Sequence, residues 1–356
     1  MNKEIRIGRH TLGLDHPTYF IADVAANHDG DLERAKDLIY LCAEAGADAA
    51  KFQNFRAATI VSDYGFKHLD SQGSHQSAWT KSVFEVYQDA SLPMEWTETL
   101  KSTCDDAGID YFTAPYDLAM IPELSNYVCA WKLGSGDITW HKHIEAMACD
   151  GKPLLIATGA ADMNEVRMAV QVALAHTDDL VLMQCNTNYT ASVENFHHIA
   201  LNVLKGYARE FPGMILGLSD HTPGHTTVLG AVALGARAVE KHFTDDIARD
   251  GPDHRFSMNY QSWRAMVDAT RELEAALGPE EKYVMGNERE TVVIQRRALR
   301  ARRPISAGEC IGKDDLVALR PCPQDCVPPY REGDLIGRSA VRDINEGDCV
   351  RLGDVK

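Results

Sequence analysis

Two histidines and two lysines carry the most chemical information in this sequence. His221 and His242 close the short runs ILGLSDH and ARAVEKH, at the ends of what read as adjacent strands. A pair of imidazoles that leaves coordination positions open suits a divalent transition ion, which polarises carbonyls and acidifies bound water. Either histidine alone would more often be a hydrogen-bonded bystander. Lys51 and Lys132 interrupt the otherwise apolar runs DAAKFQ and AWKLGS. An ammonium buried without a partner is costly, so each lysine needs an anion. The plain reading gives each a neighbouring carboxylate as a structural bridge; the chemical reading gives them an anionic substrate or a Schiff base. Ser135, between Gly134 and Gly136, and Ser219 add hydroxyl and backbone donors of the kind that hold phosphate.

These residues need a scaffold that brings them together. From Thr18 to about Thr244, short β-branched or apolar runs alternate with helical patterns, as expected of parallel strands joined by helices. Eight runs qualify: 19–25, 48–53, 109–114, 130–135, 153–158, 180–185, 215–219 and 236–243. Eight such strands predict a closed (β/α)8 TIM barrel, whose active site lies at the carboxyl ends of the strands. Polar residues gather at those ends: Asp23, Asn27 and His28, then Lys51 and Gln53, Thr113, Lys132 and Ser135, and Thr158. Asn186, Asn188 and Tyr189 follow the sixth run, Ser219 to His221 the seventh, and Glu240 to His242 the eighth. Asp253, in Gly251-Pro252-Asp253-His254, follows a charged run that could be only a solvated loop, but its place after the eighth strand puts it over the same face.

The helices carry ordinary marks. Leu32, Ala35, Leu38 and Cys42 recur at helical spacing up to Gly46, where glycine can take the left-handed cap. Residues 54–108 form an exceptional connection, with a long loop from Tyr64 to Thr80 besides helical segments; loops of that length are usually lids or binding elements. The last barrel helix is expected over about 260–277. Residues 279–291 read as a polar linker, which places a barrel over 1–278 and a compact β-rich module over 292–356.

Composition narrows the function classes. The formal charge of −16 opposes binding to nucleic acid or anionic membrane, so an anionic substrate must be met by a few placed cations. No apolar run approaches a membrane span and the opening MNKEIRIGRH lacks a signal-peptide core, which points to the cytoplasm. Nine scattered cysteines argue against a disulfide framework, and Cys322 and Cys326, the only close pair, are expected as free thiols.

Several motifs in order, IADVAANHDGDLERAKDL, AGADAAKFQNF, FTAPYD, WKLGSGDIT, LGLSDHTPG, AVEKHFTDD and GPDHRFSM, make the chain resemble the sialic acid synthases, a family that includes N-acetylneuraminate, legionaminate and pseudaminate synthases. RRALRARRPISAGECI, ALRP and LIGRSAVRDI resemble that family's C-terminal antifreeze-like (SAF) domain. The resemblance implies condensation of phosphoenolpyruvate with an N-acetylmannosamine-like aldose, giving a nine-carbon 2-keto-3-deoxy acid and phosphate. It implies a divalent metal on His221 and His242, manganese or else magnesium or cobalt. Phosphoenolpyruvate would be held by Lys51, Thr113, Lys132, Ser135 and Ser219, with Ser82 as a further phosphate contact. Gln53, Tyr189 and Asp253 match positions around the sugar, and Arg320 matches an arginine that a partner subunit supplies in the family's domain-swapped homodimer. The departures gather around the acceptor. Asp23 stands where the family typically has glutamate, and its carboxylate sits about one methylene nearer the backbone. Ala157 replaces a usual serine, and Gln184 a usual histidine. Rival readings are a lysine Schiff-base aldolase, a phosphoenolpyruvate-dependent synthase of a shorter 3-deoxy acid, and a carbohydrate-binding module on an inert barrel.

Overall fold

The computed structural model describes residues 3–69, 76 and 79–356. The chain divides into two compact units, Met1–Gly278 and Pro279–Lys356.

The first unit is a closed barrel of eight parallel strands. An amino-terminal hairpin supplies β1 (Ile5–Ile7) and β2 (His10–Leu12), so the barrel strands are β3 (Tyr19–Asp23), β4 (Ala49–Asn54), β5 (Asp110–Pro115) and β6 (Trp131–Leu133), then β7 (Leu154–Ala157), β8 (Leu180–Cys185), β9 (Ile215–Asp220) and β10 (Ala236–His242). Each falls within a run read from the sequence or overshoots it by one residue at its carboxyl end. Alternation along the strands sorts the side chains into two cores. Phe20, Phe52, Trp131, Leu182, Leu218 and Val239 face outward and pack under the helices. Tyr19, Ile21, Ala49, Phe112, Leu155, Met183 and Ala238 fill the barrel, joined by Ile5, Ile7 and Leu12 of the hairpin. The hairpin packs into the same interior core as the first residues of the strands, leaving the polar layer at their carboxyl ends.

Asp31 caps the helix Leu32–Glu44, accepting from the backbone N–H groups of Glu33 and Arg34, and Gly46 adopts the left-handed conformation expected of it, φ 91°. The last barrel helix runs Tyr260–Leu277. The long second connection differs from expectation at its start, where Ser62 caps a short helix Asp63–Lys67 in place of a loop beginning at Tyr64. Part of the remaining loop, residues 70–75, 77 and 78, lies outside the described residues. No helix among the described residues is long and apolar enough to cross a membrane.

The second unit has its own small core of Leu299, Ile305, Ile311, Leu335, Ile344 and Val350. β11 (Ala298–Ala301) pairs antiparallel with β12 (Leu316–Leu319), and further bridges such as Ile305–Ile344 and Ala340–Val355 close the module. The end of the segment read as linker is helical, since a helix spans Arg289–Gln295. The expectation of free thiols is corrected at Cys326, which is bonded to Cys349, while Cys322 stays reduced. The partner that folding brings to Cys326 is 23 residues away in sequence, beyond the reach of a spacing argument.

Candidate functional site

The interior core is apolar through its lower layers and turns polar at the carboxyl ends of the strands. Asp23, Lys51, Lys132, Ser219, Glu240 and His242 share the inward parity of Ile21, Ala49, Ala130, Gly217 and Ala238, and all six are buried. Their charges interlock. Lys51 Nζ lies 2.7 Å from Asp23 Oδ2 and 3.8 Å from Glu240 Oε1, and Lys132 Nζ lies 3.5 Å from Glu240 Oε2. Lys132 also donates to the Leu133 carbonyl at 2.8 Å, Gln53 donates to Asp23 Oδ2 at 3.0 Å, and the Ser219 hydroxyl reaches Glu240 Oε1 at 3.5 Å. Burial works against the Lys51 ammonium, but the carboxylates of Asp23 and Glu240 outweigh it and hold its pKa above the usual value. Lys132 is pulled down instead, because burial is offset less completely by Glu240 and opposed further by Lys51.

Both lysines therefore have carboxylate partners, as the plain reading required. The arrangement is nonetheless unlike an isolated structural bridge. Two ammoniums and two carboxylates share one layer, and Glu240 Oε2 has no hydrogen-bond donor among the described residues. Glu240, named in sequence only as one of the polar residues ending the eighth run, belongs to this layer, and alternation of Ala238, Glu240 and His242 on β10 is the signal that faces it inward.

The two imidazoles meet at the same mouth, with ring centroids 5.5 Å apart. His221 Nδ1 lies 3.1 Å from the Asn186 carbonyl, to which it donates. Burial works against its imidazolium, but the hydrogen-bonded Cys185 side chain and the Asp220 carboxylate outweigh it and hold the His221 pKa above the usual value. His242 Nδ1 is buried with no partner among the described residues, while its Nε2 lies 3.5 Å from Asp23 Oδ2. Burial, then His221 and Lys51, keep His242 neutral by lowering its pKa well below the ordinary histidine value. Two converging imidazoles, one with an unpartnered ring nitrogen among the described residues, offer the nitrogen donors that a borderline divalent ion takes. Among the described residues no three histidine, cysteine or acidic side chains are grouped so as to hold a metal ion.

Above this layer lies a cavity of about 150 Å³. One side is polar, with Gln53, His242 and Asp253; the other carries Phe55, Trp79, Tyr87 and Tyr116 from the connections after β4 and β5. Tyr189 belongs to it as well, its ring centroid 4.4 Å from His221 and 6.1 Å from His242. Asp253 accepts a hydrogen bond from the Ala26 N–H at 3.0 Å, and burial pushes its pKa up to about 6. Its loop is tethered by Asp29, which meets Arg34 at 3.2 Å, Arg249 at 2.8 Å and His254 at 2.9 Å. Arg34 reaches on to Asp245 at 2.6 Å. Ala25 and Asp29 hold left-handed backbone, φ 46° and 53°, where the chain leaves β3 for this face.

Of the remaining expected residues, Ser135 keeps a link to the mouth through Cys185, whose thiol meets both Ser135 and His221, while Thr113, Ser82 and Arg320 make other contacts. Thr113 takes the outward parity of Phe52 and Trp131, its register partners, and its hydroxyl donates to the side-chain oxygen of Asn54 at 2.5 Å. Ser135 is buried after β6, where its hydroxyl accepts from the Gly159 N–H at 3.0 Å. Ser82 caps the helix Val83–Ala90 and is engaged with Glu85 in a capping box. Arg320 belongs to the second unit, immediately after β12.

Residues 38–282 match the profile of the NeuB family and residues 296–356 that of the SAF domain. The chain belongs to the NeuB family. This NeuB chain is 35% identical over 344 residues to an N,N'-diacetyllegionaminic acid synthase of Legionella pneumophila, covering 95% of this chain and 94% of the relative. It is 30% identical over 350 residues to a pseudaminic acid synthase of Campylobacter jejuni, covering 96% and 97% of the two chains. Among solved structures, an N-acetylneuraminic acid synthetase of Leptospira borgpetersenii superposes with a TM-score of 0.71 at 26% identity, over 82% of this chain and 96% of that one.

Proposed function

We propose that this NeuB chain is a nonulosonic acid synthase that joins phosphoenolpyruvate to the aldehyde of an N-acetylated mannosamine-like sugar. The observation that supports it most is the charged layer itself: two buried lysines lie within 4 Å of two buried carboxylates, beside a pair of converging imidazoles. The enol carbon of phosphoenolpyruvate forms a bond to the aldehyde carbon, whose oxygen takes a proton. The positive charge left on the phosphate-bearing carbon is quenched by water. The resulting tetrahedral centre loses phosphate by carbon–oxygen cleavage, and the ketone retains the oxygen of water.

Lys51 and Lys132, aided by Ser135 and Ser219, would orient the carboxylate and phosphate and screen their charge as the new bond forms. Thr113, which faces outward, would act through the Asn54 side chain it holds. Gln53 and Tyr189 would align the sugar. Asp253, whose carboxyl burial pushes up to about 6, can hand a proton to or take one from a sugar oxygen, and Asp23 would orient sugar hydroxyls. His221 and His242 would hold a divalent ion, manganese first and magnesium or cobalt as alternatives, which when bound polarises a carbonyl. The apolar flank of the cavity suits acetamido and deoxy groups on the acceptor. A homodimer, with Arg320 of the partner subunit over the sugar, and a cytoplasmic setting complete the proposal.

Phosphate release on mixing phosphoenolpyruvate with N-acetylmannosamine, its 6-deoxy-2,4-diacetamido relatives and mannose tests the reading. Release is expected only with acetamido sugars, lost with a chelator and with His221→Ala; no release with any of them refutes it. One observation favours a second reading, the lowered pKa of Lys132, which suits a Schiff base. A borohydride-trapped keto-acid adduct that persists under chelator would establish that alternative.

A further inference from the structure

Behind the two imidazoles, on the helix-facing side of the same strands, lies a second charged pair. Asp220 ends β9 and Lys241 is its register partner on β10. Both side chains are fully buried and joined by an ion pair. The carboxylate is saturated: it also accepts from the Thr222 hydroxyl at 2.9 Å, the Thr222 N–H at 3.2 Å and the Thr227 hydroxyl at 2.7 Å. The ammonium donates its second bond to the Thr222 carbonyl at 2.6 Å. The nearby outward positions Leu216, Leu218 and Val239 are apolar.

A buried ion pair is a poor device for stability, because well-packed apolar residues of similar size are often as good or better. What this pair does differently is fix geometry. Asp220 precedes His221 and Lys241 precedes His242, so the bridge joins the two backbone positions from which the imidazoles project. Through Thr222 and Thr227, the latter in the first turn of the helix Thr226–Ala233, it also pins both ends of the turn that His221 begins.

We propose that Asp220 and Lys241 are a positioning pair that sets the spacing of His221 and His242 for a divalent cation. The inference rests on the metal-bearing reading of the site given above. Removing both charges together, in Asp220→Leu/Lys241→Met, avoids stranding either one; Asp220→Asn/Lys241→Met keeps an acceptor for the two threonines should the first pair fold poorly. Mn2+ alone is titrated into the full chain and the free ion followed by electron paramagnetic resonance, with the thermal midpoint of metal-free protein measured alongside. The expected result is a 10- to 100-fold weaker dissociation constant, the usual effect of residues that orient metal ligands, in protein whose metal-free midpoint is little changed. Parental affinity in a folded double variant, whatever its midpoint, overturns the positioning role and leaves the metal site standing. A parental chain that binds no Mn2+, or binds it equally well as His221→Ala, overturns both.

Discussion

Replacing Glu240 by glutamine should lower the stability of the free protein while strengthening its grip on phosphoenolpyruvate. The carboxylate stands 3.5 Å from Lys132 and 3.8 Å from Lys51, which at an effective dielectric constant of about 20 corresponds to roughly 4–5 kcal/mol of attraction for each contact before desolvation is counted. Breaking one side of a buried pair typically costs about 3–5 kcal/mol. Here the lower end applies, because Lys51 keeps Asp23 at 2.7 Å and Lys132 keeps the Leu133 carbonyl. A loss of about 3 kcal/mol in a barrel of this size moves the thermal midpoint down by roughly 6 °C. The substrate responds oppositely. Glu240 competes with its carboxylate and phosphate for the two ammoniums, so phosphoenolpyruvate should raise the midpoint of the variant by more than it raises that of the parent. Thermal scans with and without saturating phosphoenolpyruvate read both effects. A midpoint unchanged within 2 °C or so, or a smaller ligand shift in the variant, would refute the reasoning.

Further outcomes follow from other parts of the molecule. His143 is fully buried with neither ring nitrogen hydrogen-bonded among the described residues, and burial lowers its pKa to about 4. The unfolded chain takes that proton first, near pH 6.5, so the associated stability is complete above that pH and falls by up to about 3 kcal/mol on acidification to pH 4. His143→Phe should therefore flatten the midpoint between pH 6.5 and 4.5 relative to the parent; an identical pH profile rules the account out. Asp137, whose Oδ2 lies 3.9 Å from His143 Nδ1, is raised by burial to about 6, and its protonation favours the fold as pH drops, so it opposes the slope that His143 sets. Asp29→Ala frees the loop carrying Asp253 and should raise KM for the sugar several-fold with little change in KM for phosphoenolpyruvate, and equal effects on both would discount the tether. Alkylation of denatured, unreduced protein should label the seven free cysteines and spare Cys326 and Cys349; nine labelled thiols would mean the bond does not form.

The eight barrel strands were legible because strands buried on both faces write themselves as near-continuous apolar runs, and Leu180–Cys185 emerges with the bounds read from sequence. Short elements were not. The hairpin strands Ile5–Ile7 and His10–Leu12 have three residues each, too few for a period to declare itself, yet they join the interior core. The helix Arg289–Gln295 buries none of its residues and so lacks the apolar stripe by which a helix is found. The Cys326–Cys349 bond joins segments whose proximity depends on the antiparallel closure of the second unit, which local spacing does not encode.

At the strand ends, sequence showed which polar residues gather there but not the face each one occupies. Neighbours in EKH and SDH divide: Ser219, Glu240 and His242 enter the barrel, whereas Asp220 and Lys241 turn away from it. That division decides the electrostatics. Counted by adjacency, the mouth would hold three acidic groups, Asp23, Asp220 and Glu240, against three lysines. Counted by parity, Asp23 and Glu240 face Lys51 and Lys132, and the formal charges of the layer cancel. A substrate bearing both a carboxylate and a phosphate brings negative charge into a layer with no surplus cation of its own. Either a carboxylate must yield its lysine or positive charge must enter beside His221 and His242. The orphaned Nδ1 of His242, buried yet kept neutral, is where the layer can accept such a charge without breaking a bond it already makes.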